Sequence, residues 1–470
     1  MRIAARLVIA FLLCTAVSAS QPNWIMIQDD NFRVYSSASE RETRDMLNQF
    51  ELIQGFFNQL TGTKPGKSEP VSVVIFGTEK EYQPYRFNSF ASAYYSNHSD
   101  RDFIVVGKLG EQSSLTASHE YTHLAFAHAG YSLPPWLNEG IAELFSTLHP
   151  QGQFTLYGDV LPGRLQELYR DPWVPLATIL AADRNSPYYN ESSKAGSFYT
   201  ESWALVHMLA TSDEYRSKFW DVVKAINAGA NSVEALEKVF GMPLAKLDDT
   251  LQSYVRGSRF FQLKVKVALQ GAEKRASQPA DMFEVRELQA ALLMGLNTTQ
   301  DEARARFEEL TREDATRPGP WANLGYLAWR SGDEDKAVEC FGKAYELGDR
   351  FPRLLLDYAH LAVLSNRERS VEALQAFLEA RPDDLDARLF LADLQMRMGK
   401  DAEVLATTRS ISAVRTPEQR DNLLYLRAFA QSQLNDDVAA RANAEQLKRV
   451  TTSESMRSKA DDILRMTERH

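Results

Sequence analysis
Short β-branched or aromatic runs come first along this chain, and apolar residues at helical spacing follow them. Phe32-Arg33-Val34-Tyr35, residues 71–76 and residues 103–106 read as strands. Between the first two, Met46, Phe50, Ile53, Phe56 and Phe57 recur on one side of a helix expected over about 40–60. A helix-like run over 113–128 comes next, then further helical patterns at about 136–147, 196–210, 215–227, 233–239 and 244–263. The order strand, helix, strand, strand, helix, and then helices alone, predicts an α+β domain with a strand-bearing first part and a helical second part.

From about residue 281 the strand patterns vanish and a repeat takes over. Trp321, Leu324, Gly325, Gly332, Ala337, Phe341 and Ala344 fall at the spacings of a tetratricopeptide repeat, in which small residues let two helices close on each other. Turn residues Gly332, Asn366, Gly399 and Asn435 recur at intervals of 34, 33 and 36, and Pro382 stands at a repeat boundary. The segment offers four or five helix pairs, enough to bury a continuous core. Such an all-α solenoid is expected to present a concave face to a peptide or protein partner.

Composition changes this picture little. A chain of 470 residues, 44% hydrophobic and 25% charged, is an ordinary globular sequence with room for two domains. A formal charge of −10 without basic clusters argues against a nucleic-acid partner. At the start, Arg2 and Arg6 precede an apolar run over 7–17 and the small residues Val17-Ser18-Ala19, the layout of a secretory signal peptide. That run is short for a membrane span, so no integral membrane segment is expected after cleavage. Cutting after Ala19 removes Cys14 and leaves Cys340 alone, so no intrachain disulfide is expected. The organisation expected is therefore a signal peptide over 1–19, an α+β domain over 20–264, a linker over 265–280 and the helical repeats over 281–470.

The chemistry concentrates in His119-Glu120-Tyr121-Thr122-His123, which reads HExxH inside the 113–128 helix. Histidines at i and i+4 share one helix face, so both imidazoles can reach one metal ion. Glu120 lies about 100° round the helix, where it can hold a metal-bound water instead of the metal. After Gly130 and Pro134-Pro135 the chain reads Trp136-Leu137-Asn138-Glu139-Gly140-Ile141-Ala142-Glu143. A catalytic zinc site wants three protein ligands, an open position and an outer carboxylate that orients a ligating imidazole. Glu139 can be the third ligand and Glu143 the orienter, while Gly140 lets the helices approach closely.

These residues resemble the gluzincin metallopeptidases of the peptidase MA-like group, related to aminopeptidase N and thermolysin. The resemblance implies that His119, His123 and Glu139 bind Zn2+, that Glu120 is the general base and that Glu143 is the second carboxylate behind the ligands. The metzincin pattern fails, because the glycine and histidine it requires three and six residues after His123 are Phe126 and Ala129 here. His128 is accordingly read as a helix-terminal residue and not a ligand. Farther on, Phe198-Tyr199-Thr200-Glu201-Ser202-Trp203-Ala204 resembles the tyrosine-bearing helix start of aminopeptidase N-like enzymes. Tyr199 is thereby implied as the hydroxyl that steadies the oxyanion.

Two departures matter. Only fifteen residues separate His123 from Glu139, fewer than in aminopeptidase N or thermolysin, and no Gly-x-Met-Glu-Asn amine clamp precedes the HExxH helix. Residues 93–95 or 103–107 are candidates for an edge strand that pairs with an extended peptide. The expectation is an exported zinc metallopeptidase, periplasmic or secreted, whose repeats recruit a substrate or partner. The alternative is a catalytically silent scaffold acting as a binding or assembly module.

Overall fold
The computed structural model describes residues 23–62, 70–88, 91–97, 102–183, 185–190, 192–258, 260–267, 275–296 and 298–468. The expected signal peptide, 1–19, lies outside the described residues. Two compact units emerge, one of residues 1–82 and 105–280 and one of residues 83–104 and 281–470.

The first unit starts with β1 (Ile25–Gln28) antiparallel to β2 (Phe32–Ser36). Their turn is closed by Asp29, whose Oδ1 accepts from the Asn31 and Phe32 N–H groups at 2.6 and 2.7 Å. The chain then crosses through α1 (Glu40–Thr61) to β3 (Val71–Ile75), which runs parallel to β2 with Val73 opposite Val34. The predicted stripe of Met46, Phe50, Ile53, Phe56 and Phe57 is buried, so α1 covers the sheet. A Ser39–Glu42 capping box starts this helix, and Gly62, left-handed at φ 69°, ends it.

A short α2 (Glu79–Tyr82) ends the first stretch of this unit; β4 (Ala93–Asn97) and the start of β5 (Asp102–Val106) fall in the 83–104 stretch grouped with the second unit, and the end of β5 belongs to the first. In the strand order β5 has neighbours on both sides, β4 and β3, so of the two edge-strand candidates 103–107 is interior and only 93–95 lies on an edge. From β5 the chain enters α3 (Glu111–His128), then α4 (Pro135–Ser146). A second sheet is formed by β6 (His149–Gln151), β7 (Phe154–Tyr157) and β8 (Leu263–Val265). Between β7 and β8 lie α5 (Pro162–Arg170), α6 (Leu176–Ala181), α7 (Pro187–Asn190), α8 (Ser192–Thr211), α9 (Phe219–Asn227), α10 (Ser232–Phe240) and α11 (Leu244–Arg256). The unit closes with β9 (Ser277–Pro279), antiparallel to β1.

One expectation is corrected here. The helix predicted to run to residue 263 stops at Arg256, because Gly257 and the left-handed Ser258 (φ 48°) turn the chain and Leu263 pairs with Tyr157 instead. Within the segment 265–280, expected as a linker, Ser277–Pro279 form β9 against β1.

In the second unit five helix pairs follow one another. They are α12 (Met282–Gly295) with α13 (Gln300–Glu313), α14 (Pro318–Arg330) with α15 (Glu334–Glu346), and α16 (Pro352–Ala362) with α17 (Arg367–Ala380). Then come α18 (Leu385–Arg397) with α19 (Asp401–Arg409) and α20 (Pro417–Gln433) with α21 (Asp437–Val450), and α22 (Glu454–Met466) packs on the last pair. The periodic turn residues lie inside the pairs: Gly332, Gly399 and Asn435 take φ of 82°, 69° and 59°, and Asn366 caps α17. Gly325 meets Phe341 so closely that an added Cβ would sit 2.6 Å from its ring, which is why a small residue is needed there. The helical repeat expected from the sequence is thus a stack of helix pairs of tetratricopeptide type. Among the described residues no helix is long and apolar enough to cross a membrane.

Candidate metal centre
The face of α3 opposite the site explains why the helix sits where it does. Tyr121, inside the HExxH motif, packs its ring against Phe32 and Phe50 at centroid distances of 5.3 and 4.9 Å and donates its hydroxyl to Gln54 Oε1 at 2.5 Å. Thr122, Leu124, Ala125 and Phe126 are buried on neighbouring positions. With that side fixed in the core, His119, Glu120 and His123 are left half-buried on the other.

The imidazoles meet a carboxylate from α4. His119 Nε2 lies 3.0 Å from His123 Nε2 and 3.2 Å from Glu139 Oε2, and His123 Nε2 lies 3.4 Å from that same oxygen. Tetrahedral zinc with bonds of about 2.0–2.1 Å needs ligand atoms about 3.3 Å apart, so the three donors fit the ion without rearrangement. Among the described residues this is the one group of His, Cys, Asp or Glu side chains gathered closely enough to hold a metal. Electrostatics agree with a cation-binding pocket. Burial favours the neutral form of Glu139, yet its contacts to His119 and His123 outweigh that and hold its carboxyl well below the usual range. Burial likewise opposes protonation of His119, but Glu139, Glu143 and Glu120 together push its pKa up.

Glu143 Oε1 faces the far ring nitrogen, His119 Nδ1, at 4.0 Å, an ion-pair distance and not a hydrogen bond. What holds Glu143 is Arg164 on α5, which donates to Oε1 from Nη2 at 2.5 Å and from Nε at 3.2 Å. Arg164 Nη1 also donates to Glu167 Oε2 at 3.2 Å, and that oxygen accepts from Thr200 Oγ1 at 2.6 Å. The Arg164 guanidinium carbon stands 5.7 Å from the centre of the Tyr199 ring. A polar chain thus runs from His119 to Thr200 in the middle of α8, with Tyr199 half-buried beside it. Arg164 was not found by sequence reasoning. Its only local signal is an i, i+3 pairing with Glu167 after a helix-starting Pro162, a pattern too common to mark a site.

Gly140 does allow a close helix approach, though its partner is α8. A Cβ there would lie 2.6 Å from the Ser202 carbonyl oxygen and would collide with the Val206 side chain. The glycine follows Glu139 directly, so this contact sets how far the third donor reaches toward α3. Gly140→Ala is expected to cost about 1–3 kcal/mol of stability through overpacking and to weaken zinc uptake as α4 shifts. Thermal unfolding with and without zinc checks it, and an unchanged melting temperature would contradict the tight approach.

No protein-family model and no curated protein matches the sequence. Among solved structures the chain is similar to a tetratricopeptide repeat protein from Parabacteroides merdae, at 17% identity over 55% of this chain and 100% of that one, with a TM-score of 0.24. It is also similar to MamA, at 12% identity over 41% and 95% of the two chains with a TM-score of 0.22. A third likeness is to the APC/C hetero-tetramer Cut9–Hcn1, at 11% identity over 78% and 72% with a TM-score of 0.25. At such scores these likenesses add nothing to the repeat architecture, which rests on the helix pairs themselves.

Proposed function
We propose that the first unit is a zinc-dependent peptide hydrolase of gluzincin type, exported from the cytoplasm, and that the helical stack binds its substrate or a partner protein. The observation that carries the reading is the convergence of His119, His123 and Glu139 donor atoms at the edge lengths of a tetrahedral zinc site. Held by His119, His123 and Glu139, a zinc ion would supply Lewis acidity to the scissile carbonyl and to the attacking water. Glu120 takes the proton of the attacking water and passes it to the leaving amine nitrogen. Glu143, clamped by Arg164, fixes the charge behind His119, and the Tyr199 hydroxyl donates to the carbonyl oxygen as negative charge gathers there.

Metal analysis of the full chain tests this directly. About one zinc per chain is expected in the wild type, with a large loss in His119→Ala and Glu139→Ala, because each removes one of three ligands. A wild-type protein that takes up no zinc, or variants that keep it, would overturn the ligand set. The second reading, a protein-binding scaffold without catalysis, is favoured by the stack of helix pairs; zinc binding without cleavage of a broad peptide library would support it.

A further inference from the structure
Two holds on α5 come from α8, one on each side of Arg164. The first is His207, a fully buried histidine that the proposed hydrolysis does not use. Its Nε2 lies 2.8 Å from the Gly158 carbonyl oxygen and its Nδ1 lies 2.8 Å from the Tyr254 hydroxyl. A carbonyl oxygen can only accept, so Nε2 carries the hydrogen and donates it, and Nδ1 accepts from Tyr254. Trp203 and Phe260 cross the ring plane at 64° and 80°, each with centroids 5.4 Å away, so packing and hydrogen bonds agree on one orientation of the imidazole.

Gly158 receives that hydrogen bond at a φ of 89°, and an added Cβ would lie 2.8 Å from the Phe261 carbonyl oxygen and 3.1 Å from Thr211 Cγ2. From this fixed point a short connection leads to Pro162, whose ring sets φ at the first turn of α5, and then to Arg164. Asp159 is tied as well, to His149 Nδ1 at 3.1 Å, but the His149 side chain is 43% exposed, so the buried hold on this connection is the one from His207. The second hold is Thr200, 1% exposed, whose Oγ1 donates at 2.6 Å to Glu167 Oε2, the oxygen that also accepts from Arg164 Nη1. Thr200 and His207 stand two helical turns apart on one side of α8. Between them in sequence, Ser202 and Val206 meet Gly140 beside Glu139.

We propose that His207 and Thr200 are positioning residues of the metal centre, acting from α8 through Arg164 on the carboxylate of Glu143 behind His119. Neither belongs to the donor set itself. Their hydrogen bonds fix α5 before and after Arg164, the guanidinium holds Glu143 Oε1 through donors at 2.5 and 3.2 Å, and that oxygen faces His119 Nδ1 at 4.0 Å. The inference rests on the ligand set His119, His123 and Glu139 proposed for zinc, and it holds whether or not a peptide is cut.

The test is zinc affinity of the full chain, measured by competition with a chelator across a double-mutant cycle. His207→Leu keeps the bulk and removes the donor to Gly158; it is expected to weaken zinc about 10-fold, within the range that an outer partner of a ligating histidine contributes. His207→Gln loses the same ring contacts but keeps an amide donor near the Nε2 position, so it should stay within about 3-fold of the wild type. Thr200→Val is isosteric and spares the fold even where the leucine variant does not; it should weaken zinc by about 3- to 10-fold. In a Glu143→Gln background either change should shrink to within about 2-fold, because the carboxylate it acts on is gone. A general loosening of the fold would instead lower affinity equally in both backgrounds and in the glutamine variant. That result overturns the positioning role, as does an unchanged affinity in both His207→Leu and Thr200→Val. A wild type that takes up no zinc overturns the ligand set and this role together. The expected cycle with no cleavage of a broad peptide library sinks the hydrolase reading and keeps the positioning role.

Discussion

Glu120→Gln is expected to keep a full complement of zinc and to lose peptide hydrolysis by roughly 10²–10⁴-fold, the usual worth of a positioned general base. The substitution is isosteric and removes only the capacity to accept a proton. It leaves the ligand set intact, since the donor triangle is made by His119, His123 and Glu139 and not by Glu120. The fold should tolerate it as well, because α3 is anchored through Tyr121 and the buried residues on its other side. Glu120 is half-buried and its charge bears on His119, so a small drop in histidine basicity should accompany the loss of activity. Zinc content and kcat/KM on one peptide, measured side by side, separate the roles. Retained hydrolysis would take the base assignment from Glu120, and lost zinc would make it a ligand or a structural residue.

Much of this arrangement was legible because its determinants are local. The i, i+4 spacing of His119 and His123 fixes a shared face wherever a helix forms, and α3 forms because its buried residues recur at helical spacing. The buried stripe of α1 and the turn positions Gly332, Gly399 and Asn435 were readable for the same reason. What escaped was set by tertiary contact. Arg164 grips Glu143 across twenty-one residues of sequence, and nothing near Arg164 signals that partner. Gly140 was read as a gap toward a neighbouring helix, but its tight contact is with Ser202 and Val206 on α8, which only the folded chain brings to it. Strands β6 and β8 span three residues each, too few for alternation to register, and Phe260, Phe261 and Leu263 mimic a continuing helix beyond Gly257. Local periodicity therefore yields the candidate donors on α3, while the Arg164 clamp on Glu143 and the second sheet depend on pairings that sequence spacing does not encode.

Glu201→Gln is expected to make the protein more stable in mild alkali, by as much as a few kcal/mol near pH 9, while changing little at pH 5. Glu201 sits on α8 at 3% exposure; its Oε1 accepts from the Val174 N–H at 2.8 Å and its Oε2 has no partner. Burial pushes its carboxyl pKa up to about 8, the Val174 hydrogen bond offsets part of that, and the charge of Asp248 adds to it. The sign follows from proton linkage. Between the ordinary value of 4.5 and about 8 the native state holds a proton that the unfolded chain releases, so stability falls as pH rises through that window and levels off above it. Each pKa unit corresponds to about 1.4 kcal/mol, which makes the full effect on the order of 5 kcal/mol. Glutamine keeps the bond from Val174 and, like the protonated acid, leaves one polar atom unpaired, so the comparison at pH 5 is nearly like for like. His207 bounds the other side: burial lowers its pKa to about 4, so its contribution is present above the ordinary 6.5 and lost as pH falls toward 4. Chemical denaturation from pH 4 to 9 should therefore give a wild-type profile that is nearly level between 4.5 and 6.5, where the two linkages oppose each other, and declines above it, and a Glu201→Gln profile that stays level above 6.5 and declines on the acid side. Parallel profiles above pH 6 would mean that Glu201 does not carry a proton in the native protein. Ser202, the next residue, supplies the carbonyl against which Gly140 packs, so charging Glu201 is expected to be felt at the helix contact beside Glu139. Zinc affinity in the wild type should then weaken along with stability as pH approaches 9, and the Glu201→Gln variant should be spared that loss.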